Sequence, residues 1–253
     1  MLLLLSNDDG IRAPGIRALK NSLMGLGDIR VVAPFTEQSA KSHSLTMREP
    51  VAVERVREGE WAVHGTPADS VYVGLHRVCE SRPDWVVSGI NRGGNLCSDV
   101  HYSGTVAAAR EGALHDVPSV AVSLYCQDST PVEAHHWATA ERITRKLIET
   151  LSGRDLVQGL LLNVNVPDVP YGALKGVRVC PLGRRFYATK AIEGVDNEGR
   201  TTYLIGGPHE RFDDRPGTDG VLAAAGWVTV TPLPLLATHT DQLRALADWL
   251  DET

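Results

Sequence analysis

Positive charge is scarce in this sequence: 25 lysines and arginines stand against 31 aspartates and glutamates, giving a formal net charge of -6 and a pI near 5.8. That balance offers no broad attraction to a nucleic-acid backbone or an anionic bilayer, so neither a nucleic-acid polymer nor a membrane is expected as a partner. The opening apolar run, Leu2–Leu5, is too short to span a bilayer and has no basic segment before it. It runs directly into Ser6-Asn7-Asp8-Asp9, unlike a secretory signal, and the expectation is a soluble, cytoplasmic protein. Cysteine is sparse as well. The four, at 79, 97, 126 and 180, form no CxxC pair and no zinc-knuckle spacing, and they read as structural, reduced thiols.

Internal repeats, low-complexity tracts and long charge blocks are missing too. Gly183-Arg184-Arg185 is too short for a nucleic-acid patch, and Asp213-Asp214 reads as a solvated loop. Neither a G-x-G-x-x-G loop nor a Walker A loop occurs, because Ser88-Gly89-Ile90-Asn91-Arg92-Gly93-Gly94-Asn95 has the wrong spacing. A nicotinamide cofactor and a nucleoside-triphosphate motor are thereby disfavoured.

What is present is an apolar fraction of 43% over 253 residues, enough for a substantial core and one principal domain. Leu2–Leu5, Ile29–Ala33, Trp85–Val87, Val117–Leu124 and Leu160–Val166 read as strands, and their nearly continuous apolarity predicts a parallel sheet covered on both faces. Helices are predicted at Pro14–Leu26, where Ile16, Leu19, Leu23 and Leu26 fall at helical spacing, and at Ala68–Cys79, Val106–His115 and Val132–Leu151. This alternation implies a doubly wound α/β fold, whose ligands bind beyond the carboxyl ends of the strands. After Pro167 the pattern changes to short pieces, Val177–Cys180, Thr202–Ile205 and Val228–Pro232, and a closing helix near Asp241–Leu250. Residues 1–167 are therefore read as the core, and 168–253 as a hairpin-bearing extension that completes the same domain.

Four polar segments follow the predicted strands or open a helix. Asp8 and Asp9 emerge after the first strand, where Gly10 relaxes the backbone, and two adjacent acids there suit a hard cation, although an ordinary turn uses the same residues. The loop Thr36–Thr46 is dense in hydroxyls able to ligate metal, or is simply a polar surface loop. The glycine loop after the 85–87 strand brings Asn91, a neutral oxygen donor, to the same edge, or is simply a tight turn stabilised by that asparagine. Ser103-Gly104-Thr105 precedes the helix of Val106–Leu114, where hydroxyls and unpaired N–H groups bind phosphate or cap the helix. Their common denominator is metal plus phosphate.

These segments closely resemble the SurE family of survival-protein nucleotidases. The likeness runs through Ser6-Asn7-Asp8-Asp9-Gly10, Ala13-Pro14-Gly15, the Ser39 loop, Gly65-Thr66-Pro67-Ala68-Asp69, Ser88-Gly89-Ile90-Asn91 and Tyr102–Ala109. It continues through Asn163-Val164-Asn165-Val166-Pro167 and Gly217-Thr218-Asp219 to Thr231-Pro232-Leu233, nearly the whole chain. The resemblance implies a Rossmann-like, doubly wound, mostly parallel sheet with a C-terminal β-hairpin arm and a terminal helix. It implies a homodimer or homotetramer exchanging C-terminal elements, and metal-dependent release of phosphate from nucleoside 5′- and often 3′-monophosphates. Some relatives also shorten polyphosphate. Carried over residue by residue, it places the metal ligands at Asp8, Asp9, Ser39 and Asn91, and the phosphate site at Asn95, Ser103, Gly104 and Thr105. His43, Arg184-Arg185 and Cys97-Ser98 depart from the family pattern and bear on substrate preference.

The implied ligand set is all oxygen, which suits one Mg²⁺ or Mn²⁺ per site, with Ca²⁺ also accommodated, and disfavours zinc. Asp8 and Asp9 are the expected catalytic residues, Asp8 being the first candidate to orient or deprotonate a water. A covalent aspartyl-phosphate route is the rival, weakened because the two acids are adjacent instead of spaced by one residue. The alternative from another class is a non-catalytic nucleotide-sensing module, against which the retained ligand set argues. Arg185 could contact a substrate phosphate from a neighbouring subunit, but it is read as a solvated loop residue and assigned no role, as are His209 and His239.

Overall fold

The computed structural model describes residues 1–126, 131–187, 191–205, 209–213, 215–236, 238 and 240–251. The leucine run folds as strand β1 (Leu2–Ser6), and alternation of side chains divides it between two cores. Leu3 and Leu5 join one apolar cluster and Leu4 the other, all three fully buried. Helix α1 (Pro14–Leu23) covers the first face with Ile16, Leu19 and Leu23. It stops short of the expected Leu26 because Met24 leaves helical geometry and Gly25 turns back with φ +83°. Gly27 then passes so close to the Met1 carbonyl that a Cβ would lie 2.0 Å from it.

Strand β2 (Asp28–Pro34) pairs in parallel with β1. It is followed by a hairpin that the sequence pattern does not announce, β3 (Val53–Arg57) and β4 (Glu60–Val63) around Gly59. Strand β4 runs parallel to β2, while β3 is a mostly exposed edge whose charged residues hide its strand character. Helix α2 (Pro67–Val73) starts with a capping box, in which the Thr66 hydroxyl accepts from the Asp69 N–H and the Asp69 carboxylate from the Thr66 N–H. The helix predicted to reach Cys79 changes to a π-helical turn over Gly74–Val78.

Strand β5 (Trp85–Arg92) is longer than the predicted Trp85–Val87 and lies beside β1. Ser88 to Arg92, expected as a glycine loop, is thus the strand's own end. Helix α3 (Gly104–Leu114), β6 (Ser119–Tyr125), α4 (Trp137–Leu151) and β7 (Leu161–Pro167) complete the parallel part. The helix predicted from Val132 begins five residues later, because a 3-10 turn at Val132–Ala134 gives way to extended backbone at His135. Helices α1 and α4 feed the cluster around Leu3 and Leu5, whereas α2 and α3 feed the one around Leu4. Both sheet faces are therefore covered, as the doubly wound expectation requires.

Beyond β7 lie β8 (Val177–Val179), β9 (Arg185–Tyr187), β10 (Ile192–Val195), β11 (Thr201–Leu204), β12 (His209–Phe212), α5 (Asp219–Ala224), β13 (Val228–Pro232) and α6 (Thr240–Asp251). The nine-stranded sheet has the order β3-β4-β2-β1-β5-β6-β7-β13-β8. Strands β8 and β13, read from sequence as pieces of an arm, in fact extend the central sheet; β13 lies antiparallel to β7. The hairpin is β10–β11, and β9 pairs with β12. Asp214 lies outside the described residues, while Asp213 accepts from the Arg215 side chain. Among the described residues no helix is long and apolar enough to cross a membrane.

Candidate active site

The carboxyl end of β1 is tied down by its own backbone chemistry. The Asn7 side-chain amide donates to the Gly10 carbonyl at 3.0 Å, and Gly10 adopts φ +97°, a conformation costly for residues with a Cβ. The Gln38 N–H donates to the Asp8 carbonyl, which draws the 36–46 loop over the strand end. Asp8 is buried, and its Oδ1 accepts from the Thr105 hydroxyl at 2.5 Å. Next to that bond, a Cβ on Gly104 would fall 2.7 Å from the Asp8 Cβ and 2.9 Å from its Oδ2. Glycine at 104 is thus what lets the start of α3 approach the carboxylate. Ser103 caps this helix by accepting from the Val106 N–H.

Asp9 is held from β5, where the Arg92 N–H approaches its Oδ2 at 3.4 Å. Burial raises the Asp8 carboxyl above its usual range, with the Thr105 hydroxyl pulling the other way. Burial, followed by the neighbouring Asp8 charge, pushes Asp9 up to about 7. Two neighbouring carboxyls made more basic by burial, Asp9 also by the Asp8 charge, form a donor set that a cation would stabilise.

Asp8, Asp9, Ser39, Asn91, Asn95 and Ser103 share one cavity of about 920 Å³. Asn91 turns its amide nitrogen to the Gly93 carbonyl, so its oxygen stays available as a donor. The Ser39 hydroxyl donates to the Glu37 carboxylate at 2.6 Å. Asn95 is fixed by buried neighbours: its side chain donates to the Ser123 hydroxyl, and its N–H to Asn165 Oδ1. The residues present thus fit a hard, oxygen-loving ion by their chemistry.

Gly104 and Thr105 do not line the cavity, and Thr105 is fully buried with its hydroxyl committed to Asp8. Their geometry is that of groups placing Asp8, in contrast to the phosphate contact expected of them. Sequence reasoning overlooked Glu37, Arg92, Asp99 and Trp137 in the cavity wall, as ordinary polar or core residues without a motif. It also misread Arg185, which pairs with Asp99 in a half-buried ion pair, so β9 is tied to the cavity edge. His43 contacts the buried Glu111 at 2.7 Å, anchoring the loop that carries Ser39. His209 falls in β12, and His239 lies outside the described residues.

Fold and site together define a doubly wound α/β protein that sets a buried carboxyl, Asp8, against a helix start at the carboxyl edge of its sheet, with a second, partly buried carboxyl, Asp9, beside it. Its sequence matches the family model of survival protein SurE over residues 3–189. The 5′-nucleotidase SurE of Geobacter metallireducens is 43% identical over 249 residues, covering 98% of this chain and 97% of that protein. The 5′/3′-nucleotidase SurE of Salmonella arizonae is 44% identical over 252 residues, covering 99% and 97%. The crystal structure of the Sure protein from Aquifex aeolicus superposes with a TM-score of 0.86 at 34% identity, over 99% of this chain and 100% of that one. The chain belongs to the SurE family.

Proposed function

We infer that this chain is a 5′-nucleotidase, a phosphomonoesterase that converts nucleoside 5′-monophosphates to nucleoside and inorganic phosphate. The observation that carries the reading is the Asp8–Asp9 pair, Asp8 buried and Asp9 partly so, lining one cavity with Ser39, Asn91, Asn95 and Ser103. Relatives named for both 5′ and 3′ activity support extending the substrates to 3′-monophosphates. Polyphosphate is a further candidate substrate on the same chemistry.

Asp8, Asp9, Ser39 and Asn91 would hold one Mg²⁺ or Mn²⁺, Ser39 exchanging its bond to Glu37 for the ion. When bound, such a cation supplies positive charge for the phosphoryl group and lowers the pKa of a water. The chain's own residues do the remaining work. Thr105 donates to Oδ1 of Asp8 and so fixes the orientation of that carboxylate. Asn95 and Ser103 line the same cavity and are the candidates to contact the substrate phosphate. In the reaction, the water oxygen bonds to phosphorus, the bond from phosphorus to the ribose oxygen breaks, and that oxygen leaves with a proton.

On this reading residues 1–167 form the catalytic core, and 168–253 complete the same domain while serving exchange between subunits of a cytoplasmic dimer or tetramer. Exposed apolar side chains on the hairpin and α6, among them Ile192, Leu204, Leu246 and Trp249, support that assembly. The experiment is phosphate release from a panel of nucleoside 5′- and 3′-monophosphates and polyphosphate, with Mg²⁺, Mn²⁺ or EDTA, for wild type and a folded Asp8→Asn variant. Metal-dependent release lost in the variant is expected. A metal-binding protein that hydrolyses none of them would be a nucleotide sensor instead.

A further inference from the structure

A second group of metal-binding side chains lies apart from the four residues assigned to the catalytic cation. Cys126 follows the carboxyl end of β6, Asp168 follows that of the adjacent β7, and His135 sits in the extended link before α4. A ligand atom from each of the three lies within 4.8 Å of the other two. The Asp168 N–H donates to the Tyr125 carbonyl, so the parallel pairing of β6 and β7 holds the two strand ends together. His135 Nδ1 is 2.7 Å from Asp168 Oδ2, and its side chain has no exposure to solvent. Its other nitrogen, Nε2, is buried with no hydrogen-bond partner.

That unpartnered nitrogen is the observation to be explained. A buried polar atom left without a partner costs about 1–3 kcal/mol, and the ring could not avoid this cost by facing water. An imidazole whose one nitrogen is held by a carboxylate while the other stays bare is also the usual arrangement of a metal-ligating histidine, the carboxylate fixing the tautomer and raising ligand basicity. A thiol within reach of the same group changes the class of ion, because sulfur and imidazole favour soft or borderline cations over magnesium.

We propose that Cys126 and His135, with Asp168 as the carboxylate that already holds the ring, form a second site that binds a zinc-class divalent cation. His136 flanks the group through Asp168. Its ring nitrogen is 3.1 Å from Asp168 Oδ1, and its backbone N–H donates to the same oxygen. The His136 side chain is 40% exposed and Cys126 is partly exposed, so the cluster lies near the protein surface. The site also meets the catalytic cavity. The His135 ring packs edge-on against Trp137 at 5.6 Å, the Trp137 indole donates to the Val132 carbonyl, and both Val132 and Trp137 line the cavity. An ion on Cys126 and His135 therefore fastens the turn from which that wall is built.

The test uses Co²⁺, because cobalt bound by a thiolate absorbs in the near ultraviolet whereas cobalt on the all-oxygen catalytic set does not. Full-length protein freed of metal with EDTA is titrated with Co²⁺, and Zn²⁺ is then added as competitor. The expected result is a thiolate-to-cobalt band that saturates stoichiometrically, is displaced by Zn²⁺, is abolished by Cys126→Ser and persists in Asp8→Asn. Asp168→Asn should weaken Co²⁺ binding by about 10-fold or more, the usual effect of losing such a partner. Circular dichroism verifies that the variants fold, and Asp168→Asn carries the test if Cys126→Ser does not. No band in folded wild type, or a band unchanged by Cys126→Ser or by Asp168→Asn, overturns the proposal. Neither result depends on whether nucleotides are hydrolysed.

Discussion

Replacing Thr105 by valine isolates one atom of the site. Valine keeps the branched shape that fits this fully buried position, so the change removes the hydroxyl that donates to Asp8 Oδ1 at 2.5 Å and little else. A hydrogen bond to a charged group is worth about 1.5–3 kcal/mol, which corresponds to roughly 10- to 150-fold. The range for groups that orient metal ligands is similar, about 10- to 100-fold in affinity or activity. If Thr105 acts by placing Asp8, phosphate release measured across a Mg²⁺ titration should show a higher half-saturating Mg²⁺ concentration and a kcat/KM lowered by about 10- to 100-fold. A rise in the KM for nucleotide with unchanged Mg²⁺ dependence would refute this reasoning and return Thr105 to a phosphate-binding role. No change in either quantity in a folded variant would remove it from the site altogether.

The adjacent glycine provides a steric test. Gly104→Ala places a Cβ 2.7 Å from the Asp8 Cβ and 3.0 Å from Pro67 Cγ, so Asp8 must move. Turnover should fall about 100-fold, the cost of misplacing a reacting group by roughly 1 Å, and thermal unfolding should show a loss of about 1–3 kcal/mol. The raised Asp9 carboxyl predicts a pH dependence in cation-free protein. Its folded value of about 7 exceeds the usual carboxyl value of about 4, so its contribution to stability is present below about pH 4 and is lost as pH rises through about 7. Thermal midpoints measured from pH 4 to 8 should therefore decline more steeply in wild type than in Asp9→Asn, and saturating Mg²⁺ should flatten the wild-type curve. Parallel curves for the two proteins would sink the assignment of that slope to Asp9.

Much of the central sheet is legible along the chain because strands buried on both faces must be apolar nearly throughout. Leu2–Leu5 and Leu160–Val166 therefore announce themselves, and the amphipathic stretches between them announce the covering helices. The edge hairpin β3–β4 escapes this logic because Val53–Arg57 is largely exposed and its charged side chains break the apolar signal. Strands β8 and β13 escape it for a different reason. Short β-like segments do not declare which sheet they join, and it is pairing across to β7 that places β13 in the central one.

The site divides in the same way. Local chemistry is enough to mark Asp8 and Asp9, since two acids and a glycine after a buried strand lie where α/β folds bind ligands. The strand end after Val87 offers Asn91 as an oxygen donor, and the resemblance to a family singles out Ser39 from its hydroxyl-rich loop. The partners of these residues are a tertiary matter. Thr105 reaches Asp8 across 97 residues, Arg185 reaches Asp99 across 86, and His135 reaches Asp168 across 33. None of these distances has a period or a motif. The sequence by itself determined that an acidic edge would stand at the end of the first strand, because backbone conformation and burial are written locally. Which hydroxyl steadies Asp8, which carboxylate holds Arg185 and which thiol stands beside His135 were decided by how the finished sheet brings distant strand ends together.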